Sequence, residues 1–259
     1  MNYLHKIDEA SDKDKLLWNV PEQKQGFVNI LGGNSQNFRM PIKIAEYMTA
    51  NYQIKTLNIV LPDALKTKLP PLPNFVFLSS TDSGSLANKK EILDTLNLAD
   101  YNLVPGDLSK NSITIKAVTE ALQEATKPSV VTRDAVDLLA EEQTERALMN
   151  ENLVIVGSMA QLQKIFRAVY YPKVLLLTQP LTQVAEALHK FTLSYPVSII
   201  TLHDGQILIV KNGEVNVIPL NKTSYSPISF WSGELTAKIV ALNLYNPNEF
   251  LQAATLAVF

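Results

Sequence analysis

Small residues and carboxylates recur at one kind of place in this chain, after a β-branched run and before an amphipathic one. Ser232-Gly233-Glu234 opens a helical stretch carrying Ala237, Ile239, Val240 and Leu242. Free N–H groups and the macrodipole at a helix start attract anions, and Glu234 beside them is a candidate general base. The dipole alone also favours an acidic residue in a first turn, so both readings of Glu234 stand. Gly32-Gly33-Asn34-Ser35 follows the run Phe27–Leu31. It reads as a ligand-facing turn of an α/β protein or as a tight turn that needs glycine. Val104-Pro105-Gly106-Asp107 and Val131-Thr132-Arg133-Asp134 repeat the arrangement, with Asp134 either facing a ligand or starting the helix Ala135–Ala140. His203, beside Asp204-Gly205, reads most simply as a hairpin-turn histidine.

Such turns need a frame. The predicted strands are Phe27–Leu31, Thr56–Val60, Phe75–Leu78, Tyr101–Val104, Ser129–Thr132, Leu153–Val156, Val174–Leu177 and Val197–Leu202. Several are apolar on both faces, as in strands buried between helical layers. Helices are expected over Pro41–Tyr52, Ser112–Thr126 and the stripe Leu181, Val184, Ala185, Leu188 and Phe191. The alternation predicts an α/β fold with a mostly parallel sheet. Asn212-Gly213, between Ile207–Lys211 and Val215–Pro219, predicts a late antiparallel hairpin. No repeat or linker interrupts the chain, so one domain over 1–259 is expected, with 1–20 as an N-terminal extension.

Composition narrows the chemistry. The 259 residues are 46% apolar and 19% charged, enough for a buried core. The net charge of −2 leaves no excess cation for a phosphate backbone, so no nucleic-acid partner is expected. Without cysteine there is no disulfide, thiolate site or thiol nucleophile, and His5, His189 and His203 lack metal-ligand spacing. Met1 to Lys15 carries Asp8, Glu9, Asp12 and Asp14 and no signal-like apolar stretch. No apolar run approaches the ~20 residues of a membrane span. A cytoplasmic protein without a membrane partner is the expectation. Only 9 glycines occur, about half the usual ~7%, so few places let backbone approach a phosphate closely.

The order of these motifs over Pro21 to Phe259 resembles the ribokinase-like superfamily, and within it the ADP- or ATP-dependent NAD(P)H-hydrate dehydratases. Lys24-Gln25-Gly26 resembles that family's Lys-Gly stretch before the first strand. Gly32-Gly33-Asn34-Ser35 with Phe38 resembles its Gly-Gly-Ser and aromatic residue, and Pro62 its strand-ending proline. Val104-Pro105-Gly106 resembles its Gly-Pro-Gly turn. Lys127-Pro128 through Asp134-Ala135 resembles its Asp-Ala-Asp-Ala strand end, with the second Asp kept as Asp134. Ser232-Gly233-Glu234 falls on its Thr/Ser-Gly-Asp turn.

The resemblance implies a three-layer ribokinase-like fold with a mainly parallel central sheet flanked by helices. It implies ADP or ATP, with Mg2+, as co-substrate, and NAD(P)H hydrate as the molecule repaired. In the family the catalytic carboxylate deprotonates the hydrate's hydroxyl, which attacks the terminal phosphoryl group, and phosphate is then eliminated. Glu234 takes the catalytic role; Ser232, Gly233 and His203 lie on the nucleotide side. Asn34, Ser35, Phe38, Gly106 and Asp134 lie on the substrate side. A homo-oligomer is also implied, with the apolar tail Phe250, Leu251, Ala254, Leu256 and Val258 as candidate contact surface.

The departures fall at the chemistry. Phe230 and Trp231 stand where the family has glycine, and bulk there is expected to crowd an anion site. Trp231 either stacks on an adenine or plugs a vacated phosphate pocket. Glu234 replaces Asp, and Met40-Pro41 replaces Gly-Ala. The Thr-Pro-His-Pro-Gly-Glu motif aligns with Gly157–Leu162 or Thr178–Gln183, neither with its His or Glu. Leu202-His203-Asp204-Gly205 lacks the family's lysine. Three functions stay open: a dehydratase with a divergent site, a catalytically silent relative, and a small-molecule kinase.

Overall fold

Strand–helix alternation builds the frame that positions the turns. A computed structural model describes residues 2–10, 21–141, 144–247 and 249–259. Its strands are β1 (Leu4–Lys6), β2 (Gln25–Gly32), β3 (Ile54–Pro62), β4 (Phe75–Leu78), β5 (Tyr101–Gly106), β6 (Ser129–Thr132), β7 (Leu153–Val156), β8 (Ser198–His203), β9 (Gln206–Lys211) and β10 (Glu214–Pro219). Its α-helices are α1 (Arg39–Asn51), α2 (Lys89–Leu98), α3 (Ser112–Glu124), α4 (Asp134–Leu139), α5 (Thr144–Leu148), α6 (Met159–Ala168), α7 (Leu181–Ser194), α8 (Glu234–Tyr245) and α9 (Phe250–Val258).

The ten strands form one sheet in the order β1-β10-β9-β8-β7-β6-β5-β2-β3-β4. From β8 to β4 every neighbouring pair is parallel, and β9 runs antiparallel to both β8 and β10. Successive residues of each strand serve opposite layers. Leu31, Val60, Val104, Val131, Ile155 and Ile199 pack under α2 to α7, while Ile30, Ile59, Leu103, Val130, Val154 and Ile200 pack under α1, α8 and α9. Burial on both faces is why these strands read as continuous apolar runs. The result is the expected three-layer α/β architecture.

Local chemistry sets the element ends. Asn88 and Asn111 cap α2 and α3 through their side-chain oxygens, and Ser158 with Gln161 forms a reciprocal capping box on α6. Asn212 and Gly213 both have positive φ, as do Asp204 and Gly205. Two-residue turns of that hand match the twist of the flanking strands and close both hairpins.

Two expectations are corrected. Val174–Leu177 is not a strand. Gln179 holds this stretch as an irregular loop by accepting from Leu176 N and donating to the Val174 carbonyl. The position beside β7 that a further strand would need belongs to β8. Of the apolar C-terminal tail, α9 buries Phe250, Ala254 and Val258 completely or nearly so under the sheet, and only Leu251 and Leu256 of the five stay half-buried. β1, which the sequence did not disclose, adds a parallel edge strand to β10.

The layer of α6 and α7 is fixed by an aromatic cluster. Phe191 is fully buried, stacked on Phe166 at 4.2 Å between centroids and edge-on to Tyr171 at 5.0 Å. Truncation would leave a cavity that rigid neighbours cannot fill. Phe191→Ala is expected to lower the unfolding free energy in urea by about 3–5 kcal/mol. A loss below about 1 kcal/mol would show that the layer collapses freely around the gap.

Candidate functional site

The parallel strands all deliver their C-terminal ends to one sheet edge, where an open α/β sheet binds ligands. β2 and β5 meet there with Gly32 opposite Gly106. A Cβ on Gly32 would lie 2.5 Å from the Gly106 carbonyl oxygen, so only glycine permits the approach. Gly106 has φ +101°, and a Cβ on it would lie 1.9 Å from Oδ1 of Asp134, the first residue of α4.

Asp134 uses both carboxylate oxygens on the turn after β5. Oδ1 accepts from Asp107 N and Oδ2 from Leu108 N, each at 3.1 Å. Burial pushes its carboxyl above the ordinary aspartate value, against the opposing effect of those backbone donors. Asp107 in turn accepts from Met40 N through Oδ2 at 2.9 Å, and its carbonyl accepts from Asn34 Nδ2 at 2.7 Å. Asn34 Oδ1 accepts from Gln36 N and Asn37 N, closing the Gly33 turn. Ser35 donates from Oγ to the Ser83 carbonyl. Phe38 sits at the start of α1, half-buried over Gly33. The substrate-side candidates Asn34, Ser35, Phe38, Gly106 and Asp134 are thus brought together, and their polar groups join the loops to one another.

The nucleotide-side candidates divide. Gly233 caps α8 at φ +94°, with no side-chain cap. A Cβ there would lie 2.6 Å from Ile44 Cδ1, so the helix start rests on α1, which begins just beyond the Gly33 turn. Thr236 donates from Oγ1 to the Gly233 carbonyl. The Gly233, Leu235 and Thr236 N–H groups have no acceptor among the described residues, and Glu234 N makes only a long 3.4 Å contact to Ser232 Oγ. His203 is elsewhere in purpose: it ends β8 buried, and Nε2 donates to the Gln179 carbonyl at 2.8 Å. It fastens the turn before α7, at Gln179, to the β8–β9 hairpin. The alternative Gly157–Leu162 stretch is spent on the α6 capping box.

Phe230 does not crowd the turn. It is fully buried in the core beneath α8, with Trp231 edge-on to it at 4.6 Å and half-buried. The backbone around these two residues is folded on itself. Ser229–Trp231 forms a 3-10 turn in which Phe230, Trp231 and Ser232 N–H groups donate to the Ser226, Ile228 and Ser229 carbonyls. Those three donors are consumed before any ligand arrives.

Two residues that sequence reasoning passed over belong to this edge. Lys238 lies one helical turn beyond Glu234, with no ion pair among the described residues. Burial lowers its pKa. Arg133, at φ +57°, has a buried Nε without a partner. An i, i+4 spacing from Glu234 was the available signal for Lys238.

No protein-family model matches this chain. No curated protein matches it either. Solved structures do. A hypothetical protein from Streptococcus mutans superposes with TM-score 0.65 at 16% identity, covering 95% of this chain and 85% of that one. A ribokinase-like superfamily protein from Enterococcus faecalis gives TM-score 0.65 at 13% identity, with 100% and 87% covered. The fold is ribokinase-like. An ADP/ATP-dependent NAD(P)H-hydrate dehydratase from Bacillus subtilis, co-crystallised with ATP and Mg2+, gives TM-score 0.58 at 15% identity, with 95% and 84% covered. At these identities the likeness is one of fold.

Asp134 yields a pH prediction. A carboxyl whose folded pKa is raised binds its proton more tightly folded than unfolded, so its contribution to stability grows as pH falls from neutral toward the ordinary value of 3.8. Asp134→Asn removes that gain. The change in urea unfolding free energy between neutral and mildly acidic pH should be more negative in the variant than in the parent. Identical changes in both would show that Asp134 is not the titrating group.

Proposed function

We propose that this chain binds ADP or ATP at the head of α8 and carries out phosphoryl chemistry of the NAD(P)H-hydrate dehydratase type slowly or not at all. The observation that carries the reading is the uncapped α8 start. Among the described residues the N–H groups of Gly233, Leu235 and Thr236, all three buried, have no acceptor, and Lys238, one helical turn further on, forms no ion pair. A helix start with free donors fits a nucleotide phosphate. Bound there, the nucleotide supplies the transferable phosphoryl group. A magnesium ion brought by the nucleotide would be held mainly by phosphate oxygens and water and would neutralise phosphate charge; Glu234 is the carboxylate at the helix start that would hold it in a resting complex, a role it would give up to act as a base.

The base and the donors pull in different directions. Glu234 can take a proton from a substrate hydroxyl, but its extra methylene displaces the carboxylate, and errors of ~1 Å cost on the order of 10²-fold. The Phe230, Trp231 and Ser232 donors are tied into the 3-10 turn. Losing one donor to developing negative charge typically costs ~10²–10³ in rate. Binding through the remaining donors survives this loss; transfer suffers from it. The silent relative therefore has a specific support, and the small-molecule kinase has none beyond the fold.

Thermal shift and turnover together test the reading. ATP at a hundred times its dissociation constant should stabilise the protein by about 2.7 kcal/mol, and Lys238→Met should weaken the binding several-fold. Conversion of NADH hydrate with ADP or ATP should stay well below roughly 1 s⁻¹. No shift with either nucleotide would overturn the binding site. Ordinary enzyme rates would make Glu234 a working base despite the locked turn.

A further inference from the structure

The edge of the sheet opposite the strand C-termini holds a cavity of about 140 Å³, bounded by the starts of β5, β7 and β8, the end of β9 and the α8–α9 junction. Ser198 opens β8 beside Val154 of β7, and the register Ile199 to Val210 sets Lys211 next to Ser198 across the antiparallel pair. Ser198 is 1% exposed, lines the cavity, and its Oγ has no hydrogen-bond partner among the described residues. A buried hydroxyl left unpaired costs about 1–3 kcal/mol and calls for an occupant. Tyr101, 7% exposed, lines the same space, and its hydroxyl makes no hydrogen bond with the described residues. Asn243 uses Nδ2 on the Ile239 carbonyl and lines the cavity as well.

Lys211 supplies the charge. Its ammonium lies 5.0 Å from the centroid of the Phe250 ring, within reach of a cation–π attraction, and forms no ion pair among the described residues. Burial lowers its pKa, and the exposed Glu151 carboxylate at the rim acts in the opposite direction. One cation can balance one negative charge, and Glu151 at the rim opposes a second. Phe250 and Val154 line the cavity with apolar surface. Tyr101, Pro128, Asn152, Asn243 and Pro247 also border a wider groove, which gives access from solvent.

We propose that this cavity binds a small singly charged organic carboxylate, with the carboxylate on Lys211 Nζ and Ser198 Oγ and the alkyl part against Phe250 and Val154. The site is remote from the α8 start and does not depend on the nucleotide reading.

Amide-resolved NMR titration with propionate, at fixed ionic strength, tests it. Saturable shifts are expected at Val154, Ser198 and Asn243. Propionamide, of the same shape without the charge, should bind at least about tenfold more weakly, as should propionate to Lys211→Gln, on the basis of about 1.5–3 kcal/mol for a charged hydrogen bond. Ser198→Ala should weaken binding by a smaller factor, with an unchanged far-UV spectrum. Absence of saturable shifts at tens of millimolar, meaning ordered water only, overturns the proposal. So does equal binding of propionamide, or inorganic phosphate competing as well as propionate. The propionamide comparison uses the unmodified protein, so the test stands even where a variant fails to fold.

Discussion

The pressing of the Gly106 backbone against the Asp134 carboxylate organises this molecule's functional edge. The contact exists only because residue 106 lacks a Cβ. Through it one side chain on β6's exit holds the turn leaving β5, whose Asp107 then holds Met40 and Asn34 at the exit of β2. α1 begins there, and Gly233 rests on α1 through Ile44. The position of the α8 start is thus inherited, contact by contact, from a carboxylate two strands away. Asp134 supports the site through both of its carboxylate oxygens.

On that support the chain carries two opposed signals. The uncapped α8 start and Lys238 favour a bound anion. The turn before it spends its N–H groups internally, and donors satisfied in the resting protein cost energy to redirect. Glycine would leave such a segment free to reach outward; Phe230, anchored in the core, keeps it folded on itself. Ground-state binding and charge stabilisation in the transition state need different numbers of donors, which is how a site can keep one and lose most of the other.

Much of the fold was legible because its signals are local. Continuous apolar strands, the Asn212-Gly213 turn and the α3 and α7 stripes each follow from residue period or turn chemistry. Val174–Leu177 misled because an apolar run reads as a strand whether or not a sheet neighbour is free, and sheet order is not local information. The C-terminal stripe read as surface for the same reason: the layer it covers is built by residues from β2 to β9. At the site, glycine and carboxylate positions were visible, while the roles of Asp134 and His203 were not. Both act through backbone partners far along the chain, Leu108 and Gln179, which no spacing discloses. Phe230 was legible as bulk at a glycine position but not as core, since its direction depends on the 3-10 turn.

The account rests on which backbone donors remain available, and amide-resolved NMR during ATP titration measures that directly. Saturable shifts at Gly233, Leu235 and Thr236, with Phe230, Trp231 and Ser232 retaining slow hydrogen exchange at saturation, are the result it requires. Opening of the three 3-10 amides on binding, or saturable shifts confined to other parts of the chain, would contradict it.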